Sequence, residues 1–136
     1  MSIKLVVATH GDFGSELIKS AGMLVGDTRD IISLALLPGM SFEDFANKAK
    51  TELDGIKNKD ILCFVDLFGG TPSNTMTALT RAYSMQVITG LNLPMLVDAF
   101  LKVQAGETNL FNLTKDIFNN AKDTIVITNE KLKEAK

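Results

Sequence analysis

The sequence reads as a doubly wound α/β fold, a parallel sheet with helices on both faces. Short β-rich apolar runs alternate with longer apolar stripes at helical spacing. Four of the short runs are each followed by a helical stripe, an order that calls for right-handed crossovers and three layers. No repeat, low-complexity linker or break in composition divides the 136 residues, so a single domain over 1–136 is expected.

Ile3 to Ala8 is the first buried run. Phe13, Leu17, Ala21 and Leu24 follow at helical spacing, with Asp12 placed to cap that helix and Gly26 to end it. Ile31 to Leu36 is the second strand, closed by the Pro38-Gly39 turn. Ser41 and Asp44 then open a helix whose apolar face is Phe42, Phe45, Ala46, Ala49, Leu53 and Ile56. Asp60 to Val65 is the third strand. Thr71-Pro72 starts a helix reaching Tyr83, because Thr caps well and Pro suits the first helical position. Met85 to Thr89 is the fourth strand, and Asn92-Leu93-Pro94 opens a helix with Leu93, Leu96, Phe100 and Val103 inward. A helix over Asn109 to Lys122 precedes a last strand, Thr124 to Thr128, and Glu130 to Lys136 reads as a solvated tail.

Composition removes several kinds of function. Fourteen basic residues against 16 acidic ones give a net charge of −2, which leaves no phosphate-neutralising stripe for nucleic acid. One Cys and one His rule out zinc sets and disulfide frameworks built from several of either, and Cys63 inside an apolar run reads as an inert core residue. No metal or other cofactor is expected. The longest apolar stretch, Ile31 to Leu37, is broken by Ser33 and falls far short of the roughly 20 residues that cross a bilayer. The start of the chain lacks the features of a secretory signal, so a cytoplasmic location is expected. No Gly-x-x-x-x-Gly-Lys occurs, which excludes a nucleotide-binding loop of that type.

In a doubly wound sheet, ligands gather beyond the carboxyl ends of the strands where the winding reverses. Strand order 2-1-3-4 makes the first and third strands neighbours there, and their ends carry His10 and Asp66. A carboxylate accepting the proton of one ring nitrogen fixes the tautomer and leaves the other nitrogen as a nucleophile. The Gly69-Gly70-Thr71 turn into a helix offers backbone N–H groups and a hydroxyl at a positive helix end, which suits a phosphoryl group. Plainer readings stand beside these: His10 as a loop residue bonded to backbone, the glycines as a tight turn with a cap, and Phe68 as a core cover rather than a docking contact.

Three segments taken together, Val7-Ala8-Thr9-His10-Gly11-Asp12-Phe13, Asp66-Leu67-Phe68-Gly69-Gly70-Thr71-Pro72-Ser73-Asn74 and Gly90-Leu91-Asn92-Leu93-Pro94-Met95, resemble the mannose-family enzyme IIA domain of the bacterial sugar phosphotransferase system. The resemblance implies a phosphocarrier that takes a phosphoryl group from the phosphohistidine of HPr onto His10 and passes it to an enzyme IIB partner during sugar uptake. It implies that Asp66 orients the His10 ring, that Gly11, Gly69, Gly70 and Thr71 surround the phosphoryl group, and that Phe68 lies where partners dock. Where the family commonly has Ser and Trp, this chain has Thr71 and Phe68. The resemblance also implies a homodimer in which the last strand, Thr124 to Thr128, is exchanged between subunits; an antiparallel edge strand within one subunit is the alternative. Because the chain ends at Lys136, the IIB domain and the membrane-embedded IIC and IID components are expected as separate proteins, the latter reached only indirectly. Two other readings share these residues: a non-catalytic regulatory module switched by phosphorylation of His10, and the phosphotransfer subunit of dihydroxyacetone kinase, against which the Gly90 to Met95 segment speaks.

Overall fold

The computed structural model describes residues 2–135. In chain order its elements are β1 (Ile3–His10), α1 (Phe13–Val25), β2 (Ile32–Leu36), α2 (Phe42–Asp54), β3 (Asp60–Val65), α3 (Thr71–Leu79), β4 (Met85–Thr89), α4 (Leu93–Gln104), α5 (Leu110–Lys122) and α6 (Thr128–Glu134). The sheet has the expected order β2-β1-β3-β4, and every pairing is parallel. His10 pairs with Leu36 at one side of β1, and Ala8 pairs with Val65 on the other. These registers carry the ends of β1 and β3 to the same rim.

Side-chain alternation along the two central strands divides the core between the faces of the sheet. Leu5 and Val7 of β1 join Leu62 and Phe64 of β3 under α1, α4 and α5, where Ile18, Leu96, Ala99, Leu113 and Ile117 complete the layer. Val6 and Ala8 with Ile61, Cys63 and Val65 face α2 and α3, which contribute Phe45, Ala49, Leu53 and Met76. Burying apolar side chains of this size stabilises a fold by about 1.5–3 kcal/mol each. The sheet is therefore clamped on both sides, and its carboxyl rim is a rigid frame. No helix among the described residues is long and apolar enough to cross a membrane.

Four local expectations are corrected. In α1 the buried positions are Gly14, Ile18 and Ala21, whereas Phe13 and Leu24 are exposed. The helix is turned because Gly14 lets its backbone lie against β1: a β-carbon there would meet Val7 Cγ1 at 2.7 Å. Asp12 does not cap α1 with its side chain. That bond comes from the buried Thr9, whose Oγ1 accepts the Gly14 N–H at 2.9 Å. In α3, Gly70 rather than Thr71 occupies the capping position, and the helix stops at Leu79 in a series of turns before Tyr83. Finally, residues 124–127 form no strand and pair with no strand among the described residues, which overturns the antiparallel edge strand within one subunit; Thr128–Glu134 is helical and, as expected of 130–135, exposed, and Lys136 lies outside the described residues. A strand needs a ladder to satisfy its backbone groups; residues 125–127 are exposed instead.

Candidate functional site

His10 is the last residue of β1, and Asp66 directly follows β3. Their side chains meet, with His10 Nδ1 and Asp66 Oδ2 2.7 Å apart. The same Oδ2 also accepts the His10 backbone N–H at 2.9 Å, and Oδ1 accepts the Leu67 N–H at 3.0 Å. Three donors on one carboxylate determine its charge. Partial burial works to raise the pKa of Asp66, but the hydrogen bonds from the His10 amide and ring, the attraction of the ring and the bond from Leu67 outweigh it. The carboxyl is held below its ordinary value.

An ionised carboxylate only accepts hydrogen bonds, so the proton in the 2.7 Å contact belongs to His10 Nδ1. In the neutral imidazole the lone pair then lies on Nε2. The imidazole side chain is 48% exposed while that of Asp66 is only 11% exposed, so an accessible ring stands on a sheltered anchor.

The Nε2 edge is bounded by the turn into α3. A β-carbon on Gly70 would come within 2.9 Å of His10 Cε1 and 3.4 Å of Nε2, so glycine is what allows the backbone to approach the ring. Gly69, with φ +94°, makes the turn in the left-handed region. Among the described residues the amides of Gly69, Gly70 and Thr71 donate to no other group, and the Thr71 hydroxyl makes no hydrogen bond. These donors are available at the positive end of α3.

Of the residues singled out in the sequence, His10, Asp66 and Gly70 are brought into contact, and Gly69 and Thr71 flank them. Gly11 lies beside His10 with φ +55°, but its N–H donates to the Leu36 carbonyl at 2.8 Å. Phe68 stands on the rim 83% exposed, which decides for a surface position over a core cover. Leu37, Phe42, Phe13 and Leu67 are also exposed, all at the strands' carboxyl end. At the third glycine loop, Asn92 Oδ1 accepts the Met95 N–H and caps α4, with Gly90 at φ +83°. Among the described residues no group of three or more His, Cys, Asp or Glu is arranged to hold a metal. Cys63 is buried, and burial pushes its thiol pKa up.

Two residues near the site escaped sequence reasoning. Thr9 Oγ1 holds both Gly14 and, at 3.5 Å, the Gly11 carbonyl, and Asn74 Nδ2 donates to the Gly69 carbonyl at 3.3 Å. A threonine at the close of a buried run, a few residues before a helix, was the available signal for the first.

A lone histidine locked to a carboxylate at the switch point of a parallel sheet, beside a helix start that no side chain caps, marks a doubly wound α/β protein with a single imidazole on its carboxyl rim. The family model EIIA-man, described as "PTS system fructose IIA component", matches residues 4–118. The chain belongs to this family and is a IIA component of the mannose/fructose branch of the phosphotransferase system. The fructose-specific EIIA component of Bacillus subtilis (strain 168) is 31% identical over 122 residues, covering 88% of this chain and 80% of that protein. The mannose-specific EIIAB component of Escherichia coli (strain K12) is 32% identical over 103 residues, covering 74% of this chain and 32% of that protein, so the chain spans about a third of that relative's length. Among solved structures, the mannose/sorbose-specific IIA subunit from Enterococcus faecalis superposes with a TM-score of 0.86 at 25% identity, over 93% of this chain and 95% of that one. A phosphotransferase system EIIA component from Streptococcus agalactiae gives 0.85 at 29% identity, over 94% and 98%.

Proposed function

We propose that the chain is a single-domain phosphohistidine carrier working in the cytoplasm, which accepts a phosphoryl group from phospho-HPr on His10 Nε2 and delivers it to a IIB partner. The observation that carries this reading is the 2.7 Å bond between His10 Nδ1 and Asp66, which leaves Nε2 as the free nucleophile. In the transfer, the Nε2 lone pair forms a bond to phosphorus while the donor's N–P bond breaks, and that electron pair returns to the donor imidazole. No proton need leave His10. Its ring becomes formally cationic on phosphorylation, and the Asp66 carboxylate already bonded to Nδ1–H offsets that charge. Gly69, Gly70 and Thr71 supply donors to the equatorial oxygens, and the α3 terminus adds about 0.3–1 kcal/mol of electrostatic support, enough to steady the group without trapping it. Gly11 serves as the turn that leaves the ring accessible rather than as a donor, since its amide is bonded to Leu36. The same chemistry run in reverse hands the group to IIB, and the membrane IIC and IID components are reached only through that partner.

Exposed Phe68, with Leu67, Leu37, Phe42 and Phe13, supports docking of partner proteins around the ring. The exposed apolar segment 125–127 and the outer edge of β4, which no strand pairs among the described residues, beside a cavity of about 400 Å³ lined by Gln86, Val87, Thr114 and Phe118, support a homodimer in which that segment covers the partner's sheet edge.

The test is incubation with phosphoenolpyruvate, enzyme I and HPr. The chain should take one acid-labile phosphoryl group and release it to IIB, and His10→Ala should take none. Labelling of His10→Ala, or a wild-type label that is never discharged to IIB, overturns the reading.

A further inference from the structure

Asn74 sits in the first turns of α3, exposed, and its backbone N–H makes an ordinary helical bond to the Gly70 carbonyl at 2.9 Å. Its side chain does something else: Nδ2 reaches back past the helix start to the Gly69 carbonyl at 3.3 Å. That carbonyl belongs to the same planar trans peptide as the Gly70 N–H, and the two groups point in opposite directions. Holding the oxygen therefore aims the hydrogen. At the Gly70 φ of −85°, the N–H lies on the same side of the chain as the direction a β-carbon would take. That direction runs into the Cε1–Nε2 edge of His10, at 2.9 and 3.4 Å.

We propose that Asn74 is a positioning residue for phosphoryl transfer: by anchoring the Gly69 carbonyl it turns the Gly70 N–H toward the space above His10 Nε2. Two glycines in succession make the anchor necessary. Gly69 at φ +94° and Gly70 without a side chain leave this peptide free to rotate, and the capping position holds no side chain to fix it. A donor useful in the transition state has to be oriented before the charge arrives. Asn74 supplies that orientation without touching the ring or the phosphoryl group.

The inference deepens the carrier reading and rests on it, and two measurements keep the two apart. In the full, unphosphorylated chain, ¹⁵N relaxation should show the Gly70 amide as rigid as α3 in the wild type and markedly more mobile in Asn74→Ala. Asn74→Asp, matched in shape but without the donor, should follow Asn74→Ala. In single-turnover transfer from phospho-HPr, both variants should be slower by about three- to tenfold, the worth of one hydrogen bond made in the transition state, with HPr affinity unchanged. A merely structural role would lower the melting temperature or HPr affinity and leave Gly70 rigid. An unchanged Gly70 amide in both variants, or wild-type transfer by both, overturns the proposal. A wild type that takes no label from phospho-HPr defeats the carrier reading instead, and the relaxation result still decides whether Asn74 holds the peptide.

Discussion

One oxygen of Asp66 receives two hydrogen bonds from His10, from the backbone N–H at 2.9 Å and from ring Nδ1 at 2.7 Å. The strand end and the imidazole are thus tied to a single point, so the ring cannot turn away without leaving a sheltered carboxylate short of a donor. Orientation and tautomer are determined together, before any partner arrives.

Asp66→Asn should therefore slow phosphoryl transfer more than it weakens HPr binding. Its amide can offer one oxygen to His10, but its NH₂ then faces the Leu67 N–H, donor against donor, and the negative charge is gone. Single-turnover rates should fall by about a hundredfold while HPr affinity stays near wild type; a wild-type rate would remove Asp66 from the mechanism. The pH dependence has a defined sign. The folded pKa of Asp66 is depressed, so its stabilising contribution is fully present above the ordinary carboxylate value of about 3.9 and is lost as pH falls through the lowered one. Urea unfolding at neutral pH should show the wild type more stable than Asp66→Asn, with the gap closing in acid.

Gly70→Ala separates stability from activity. Backbone φ at this position is −85°, open to any residue, and the loss of unfolded-state freedom favours Ala by about 0.4–1 kcal/mol. The new β-carbon instead presses on His10 Cε1 from 2.9 Å, and the half-exposed ring yields outward at the expense of its bond to Asp66. Denaturation should show a change within about 1 kcal/mol, and transfer should drop by about tenfold or more. Transfer at the wild-type rate would mean that the close approach of Gly70 has no bearing on the ring.

The dimer reading is checked by placing charge on the exposed apolar segment. Ile125→Asp with Ile127→Asp should give a monomer by sedimentation velocity where the wild type is a dimer, with labelling of His10 retained. A monomeric wild type, or a double variant that stays dimeric, defeats the exchanged-segment reading.

Much of this molecule could be read from its chain. Periodicity located β3 and β4 to the residue, alternation of strand and helix implied a parallel sheet, and the usual switch point of small doubly wound sheets put β1 beside β3, so His10 and Asp66 could be paired before their distance was known. Contacts that depend on backbone path were not legible. Asp12 has the right chemistry for a cap, but the chain around Gly11 at φ +55° brings the Thr9 hydroxyl to Gly14 instead. The face of α1 turned away from Leu24 because Gly14 packs on Val7, a close approach invisible to hydropathy. Thr124-Ile-Val-Ile has strand propensity, yet propensity names no partner, and within the described residues it has none.

The starts of α2, α4 and α5 are each closed by a side-chain oxygen, from Ser41, Asn92 and Asn109, whereas α3 begins on bare Gly70. Replacing that glycine by Ser or Asp would be the obvious way to strengthen the helix, by a few tenths of a kcal/mol. Either residue would thrust its β-carbon into the imidazole. Under the proposed carrier role, position 70 thus sets durability of the fold against reactivity of the ring, and selection for a hardier protein would have to find its gains elsewhere in the chain.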